Sequence, residues 1–183
     1  IDLLPQTELV RDKGYEILFC TDDIDEFALR MIGDIDGNEF LSVSSKDLNL
    51  GDEEEKQELK KTEEESRALL DSIKDALSGK VSEVRLSGRL KSHPVCLTAS
   101  GEVSLEMEKI LNAMPVDQKV KATRVLEINS SHPVFEVLKK ACAEDKSKIE
   151  KYASLLYNQA LLIEGLPVEN PVEFSEMICS LML

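Results

Sequence analysis

The sequence predicts an α+β fold: a small mixed sheet with helix cover, followed by a C-terminal helical hairpin. Three observations lead there. Short apolar runs at residues 81–86, 95–97 and 124–128 surround one helical stretch. The last fifty or so residues carry helical periodicity, with start and stop signals at each break. Aromatic residues make up only 4 % of the chain and tryptophan is absent, so the core must be aliphatic. With 183 residues, 42 % of them hydrophobic, the chain holds one ordinary domain, or a domain with a smaller piece attached.

The elements follow in order. Tyr15 to Cys20 is an apolar run after Gly14 and reads as a strand. Thr21, Asp22 and Asp23 supply caps and negative charge for a helix start. Ile24, Phe27, Ala28, Met31 and Ile32 then fall at helical spacing, and Gly33 stops them. After the turn Asp36-Gly37-Asn38, residues Phe40 to Val43 suggest another strand. This is too little for a core of its own, and residues 1–48 look like the trailing edge of a larger domain. Residues 49–66 are polar, with acids at 52–55, 58 and 63–65 and Lys56, Lys60 and Lys61 between them. That stretch is a linker or the solvated start of a helix running from Glu54 to Ser78, anchored by Leu69, Leu70, Ile73, Ala76 and Leu77.

Residues 49–183 carry the rest. Two strands, 81–86 and 95–97, are followed by a helix from Ser100 to Met114, stopped by Pro115, and by a third strand at 124–128. Pro133 fits the first turn of a helix ending near Glu144, and Lys148 to Glu164 makes another, closed by Gly165. The last opens with Asn170-Pro171-Val172-Glu173: a cap, a first-turn proline and a capping-box acid. It is expected to run to the chain end.

The net charge of −14 repels phosphate backbones and anionic headgroups, which sets nucleic-acid and membrane-surface roles aside. No apolar run approaches a membrane span. The chain opens without methionine or signal peptide and is expected to be an excised fragment. Cys20, Cys96, Cys142 and Cys179 lie far apart, and His93 and His132 each precede a proline, so neither a zinc site nor a disulfide framework is expected. A reducing compartment suits such cysteines. No Walker loop, G-x-G-x-x-G, G-x-S-x-G or H-E-x-x-H is present. Asp34-Ile35-Asp36-Gly37 is a poor calcium loop, its glycine two positions early and its bidentate glutamate missing. No catalytic residue, cofactor-binding residue or metal ligand is assigned.

Two apolar surfaces carry more information. The helix from Lys148 presents Ile149, Tyr152, Ala153, Leu156, Ala160 and Ile163 on one stripe, with Leu155, Gln159 and Leu162 on a second. The final helix adds Phe174, Met177, Ile178, Leu181, Met182 and Leu183. Together they exceed what one small sheet can cover. Either a four-helix bundle with a second copy buries the excess, or domains outside this chain do. The helix after Ser100 places Val103, Met107, Ile110, Leu111 and Met114 on one face. That face either packs on the sheet or, given its two methionines, serves as an adaptable binding surface.

Four segments resemble a known family. GYEILFCTDDIDEFALR is similar to the end of the middle domain of bacterial HtpG-type ninety-kilodalton heat-shock chaperones. VRLSGRLKSHPVCL, VLEINSSHPVFEVLKK and LLYNQALLIEGLPVENPVEF resemble, in order, their C-terminal dimerisation domain. The resemblance covers residues 14–48 and 81–183 and is weak through the acidic stretch. It implies an ATP-driven chaperone that works as a homodimer and assists folding under stress, with ATP and magnesium held by domains outside this chain. It further implies a fragment that is not itself an enzyme. The dimer bundle falls on the last two helices (Tyr152, Leu155, Leu156, Gln159, Ala160, Leu162, Ile163, Phe174, Met177, Ile178, Leu181 and Met182). Contact with unfolded client proteins falls on Val103, Met107, Ile110, Leu111 and Met114. Ser130 departs from the family pattern, which often has proline there. The ending SLML lacks the acidic pentapeptide that docks tetratricopeptide co-chaperones, which points to the bacterial cytoplasm or an organelle. The rival reading is a purely structural homodimerisation module.

Overall fold

The computed structural model describes residues 4–46, 48, 50–115 and 119–182. A 3-10 turn (Pro5–Thr7) runs into α1 (Glu8–Asp12), followed by α2 (Asp25–Ile32) and a hairpin of β1 (Asp34–Ile35) with β2 (Asn38–Glu39). Asp36 and Gly37 have φ of 53° and 80°, the pair of left-handed residues that matches the twist of a two-residue hairpin. The Gly37 amide donates to Asp34 Oδ1 at 3.1 Å, so the apparent calcium loop is a turn. The strand expected at Tyr15–Cys20 does not form, and Tyr15, Leu18 and Phe19 are exposed. No described strand lies beside that run to receive its main-chain hydrogen bonds. The strand expected at 40–43 is likewise replaced by the shorter β2.

The acidic stretch is helical. Asp52 and Glu55 form a reciprocal capping box at the start of α3 (Glu53–Glu65), with amide–carboxylate distances of 2.9 and 3.0 Å. The single helix expected over 54–78 breaks at Ser66, which leaves helical geometry at φ −99° and ψ 7°, and α4 (Arg67–Ala76) follows. The break separates two faces with different needs: α3 buries nothing, whereas α4 buries Leu69, Leu70 and Ile73.

β3 (Glu83–Leu86), β4 (Val95–Ser100), α5 (Leu105–Ala113) and β5 (Thr123–Ile128) give the expected β-β-α-β order. The sheet order is β3-β5-β4, with β3 parallel to β5 and β4 antiparallel to it. Helix α5 starts later than expected, because Ser100 ends β4 and Gly101 turns at φ 92°. Then come α6 (Pro133–Glu144), α7 (Lys146–Ile163) and α8 (Pro171–Ser180), which stops short of the chain end. The core lies between the sheet and the helices: Leu97, Leu126 and Ile128 meet Ile73, Phe135, Leu138, Ala153 and Leu161. The outer edge of β4 is closed by the preceding segment. Ala99 donates to Ser44 O at 2.9 Å and accepts from the Lys46 amide at 3.0 Å.

A charged hub crosses this sheet. Glu127, fully buried on β5, accepts from Thr98 Oγ1 at 3.1 Å and Ser87 Oγ at 2.9 Å, and pairs with Arg85 and with Arg89 Nε at 3.0 Å. Arg89, also buried, donates onward to the carbonyls of Val43 (2.8 Å) and Leu48 (3.3 Å). A carboxylate can sit here only because every lone pair is used and two guanidiniums offset its charge. A second buried pair, Arg124 with Glu108, is completed by Tyr157, whose hydroxyl accepts from Arg124 at 2.6 Å.

Candidate functional site

Helices α6, α7 and α8 leave an apolar groove of about 520 Å³ between them. Val134, Val137 and Leu138 line it from α6; Tyr152, Leu155, Leu156 and Gln159 from α7; Phe174, Ile178 and Leu181 from α8 and its last turn. The groove exists because α7 is apolar around more of its circumference than the sheet can use. Its inner face, including Ile149, Ala153, Tyr157, Ala160 and Leu161, is buried in the core. Its outer face is left with Leu155 and Tyr152 half-buried and Leu162 exposed. Helix α8 buries no residue: Phe174 and Met177 are half-buried, Ile178 is exposed, and Leu181 and Met182 are 60 % and 73 % exposed.

The residues expected at an interface therefore divide. Ten remain at the groove or beside it: Tyr152, Leu155, Gln159, Leu162, Ile163, Phe174, Met177, Ile178, Leu181 and Met182. Leu156 forms the groove floor and is buried. Ala160 is fully buried in the core, a correction to its expected place, because a small side chain on α7 lets the helix sit close to β4. Leu183 lies outside the described residues.

The stripe on α5 also divides. Ser104 caps the helix by accepting from the Met107 amide at 3.0 Å. Met107 and Ile110 point inward, each 9 % exposed, Val103 and Leu111 are half-buried, and Met114 is 47 % exposed. The two methionines were expected to act together; one is in and one is out.

A polar cluster that sequence reasoning missed shares no residue with the groove. Glu8 accepts from the amides of Lys91 (2.8 Å) and Ser92 (3.0 Å), from the Ser92 hydroxyl, and lies 2.9 Å from His93 Nδ1. Burial alone would raise its pKa; the hydrogen bonds from Ser92, Lys91 and His93 outweigh that and lower it from 4.5 to about 2. A depressed carboxylate pKa means stability that is fully present above 4.5 and is lost as pH falls through 2. Carboxyl-detected NMR should find the Glu8 midpoint near 2.

Comparison with known proteins places the chain. The model of the family described as Hsp90 protein matches residues 1–183. The chaperone protein HtpG of Clostridium acetobutylicum is 57 % identical over 182 residues, and that of Bacillus subtilis 56 % over 183. The HtpG of Halalkalibacterium halodurans is 58 % identical over 182 residues. Each match takes in 100 % of this chain, which spans 29 % of the length of the relatives. One expectation needs correction. The family match extends through the acidic stretch, where the resemblance was weak, and it fixes a share of each relative rather than a C-terminal place within it. Assignment to the C-terminal part of the chaperone is therefore withdrawn. With it goes the statement that the fragment is not an enzyme. No described helix is long and apolar enough to cross a membrane. The chain belongs to the Hsp90 protein family.

Proposed function

We propose that this chain gives an ATP- and magnesium-dependent chaperone of the cytoplasm its homodimer contact and part of its client-binding surface, so that the whole protein assists folding under stress. The apolar groove of α6–α8 carries the reading. Its occupant is a second copy of the same chain. Ile178 and Leu181 form one wall of the groove and stay exposed, as does Met182, and a two-fold axis lets each copy pack this α8 wall against the partner's. The division of the chain near residue 48 belongs to the same proposal: the core is drawn from residue 59 onward, while the exposed apolar side chains of 15–41 await another part of the polypeptide.

Sedimentation of the chain at micromolar concentration is expected to give the mass of a dimer; a monomer would reject the reading. Client contact is assigned to the C-terminal end of α5, at Met114 with Leu111. Met114→Ser should leave the melting temperature within about 2 °C, since surface changes cost little. The same change in the full chaperone should weaken binding of an unfolded client several-fold, losing part of the roughly 1.5–3 kcal/mol of one buried side chain. A dimer in which Met114→Ser leaves client binding unchanged would favour the purely structural module.

A further inference from the structure

We infer that the loop Lys91–His93 is an oxyanion-binding site for the carboxylate of an acidic peptide segment, and that Glu8 fills it in cis. Two adjacent main-chain amides, a hydroxyl and an imidazole converge on one carboxylate. Hydrogen-bond geometry defines the site, and the Lys91 ammonium beside it is engaged by Asp12.

The loop is built without help from Glu8. Buried Asn129, which follows β5, holds it from behind: its Nδ2 donates to Lys91 O at 3.1 Å and His93 O at 3.0 Å, and its amide to Pro94 O at 2.9 Å. The donors therefore keep their directions when the carboxylate leaves. The occupant also shows what kind of ligand fits. Gln6, two residues before Glu8, donates its side-chain amide to Leu97 O at 3.0 Å on the edge of β4. Recognition thus has two points, an amide on the strand edge and a carboxylate in the loop. A tethered carboxylate acts at an effective concentration in the millimolar range or above, so a weak free ligand is kept out while Glu8 stays seated.

The test uses the full 15N-labelled chain and its Glu8→Ala variant. Inorganic phosphate is one probe; a blocked peptide with the sequence of residues 5–12 is the other, alongside the same peptide with glutamine for its glutamate. In Glu8→Ala, either probe should shift the Lys91 and Ser92 amides saturably, at concentrations about tenfold or more below any response of the wild type. Peptide binding that the glutamine form does not reproduce identifies peptide carboxylate as the ligand; Gln6 of the chain still holds Leu97 O in this variant, so the loop alone is read. Phosphate binding without peptide binding identifies a free anion at the same site. Adding Ser92→Ala and His93→Phe should abolish either response. Absence of saturable shifts with both probes, or equal responses in wild type and variant, overturns the site. Should Glu8→Ala fail to fold, the wild-type carboxyl titration decides: a midpoint near 2 supports the seated carboxylate, and one near 4.5 overturns it.

Discussion

Glu127→Ala is expected to unfold the sheet or leave it barely stable. The substitution leaves Arg89, 2 % exposed, and most of Arg85 buried without their shared carboxylate, and strands the hydroxyls of Ser87 and Thr98. Removing one partner of a buried ion pair costs about 3–5 kcal/mol, a large part of the roughly 5–15 kcal/mol that holds a domain together. Glu127→Gln keeps the shape and accepts two of the hydrogen bonds but not the charge, so it should fall between. Thermal melts of both variants check the order. An alanine variant that melts within about 3 °C of wild type would show that the arginines find other partners. Because Arg89 also holds the carbonyls of Val43 and Leu48, hydrogen exchange at the Lys46 and Ala99 amides should accelerate in both variants.

The second large effect is on assembly. Leu181→Glu should convert the proposed dimer to monomer while far-UV circular dichroism and melting of the sheet stay close to wild type. Leu181 is exposed in the single chain, so the change costs the fold little. In an isologous contact it acts twice: two leucines are lost and two carboxylates must be desolvated. Losing about 1.5–3 kcal/mol per leucine weakens the dimer by roughly two to four orders of magnitude. Leu156→Glu is the wrong probe. Its side chain is buried in the groove floor, and a charge there would unfold the chain before it reported on the dimer. Concentration-dependent sedimentation separates the cases, and a Leu181→Glu protein that remains a dimer would move the interface elsewhere.

Much of this fold was legible where local chemistry decides. Pro133 and the Asn170-Pro171-Val172-Glu173 start located two helices, and the apolar runs located the three strands of the main sheet. What was missed depends on neighbours. Tyr15–Cys20 has strand chemistry but no partner strand. The break at Ser66 has no glycine or proline to announce it. It follows from α4 having to bury Leu69, Leu70 and Ile73 in a core that α3 reaches only at its edge, through Leu59. On α5 the stripe was placed about one residue too far around. With the helix beginning at Leu105, the buried face centres on Leu105 and Glu108, which draws Met107 and Ile110 in and leaves Met114 out. The buried acids gave little signal: in the run VLEI Glu127 alternates with Leu126 and Ile128 as a solvent-facing charge would, yet it is fully buried. Nothing in the sequence placed Glu8 beside a loop more than eighty residues away.

The strand order has a consequence for how the molecule is made. β5 lies between two strands that precede it in the chain, and those two do not bond to each other. During synthesis β3 and β4 leave the ribosome without their central partner, β4 having only the bridge from Ser44–Lys46 at its outer edge, and wait for Thr123–Ile128. At ordinary elongation rates that delay is on the order of seconds. Throughout it the main-chain groups that will bond to β5 and the aliphatic side chains destined for the core face solvent. The parallel pairing of β3 with β5 is also non-local, which slows closure further. A nascent chain halted before Thr123 is therefore sticky and open to proteolysis, and gains its resistance in one step when the central strand arrives. A protein of a chaperone family begins its own life as the kind of chain that needs shelter.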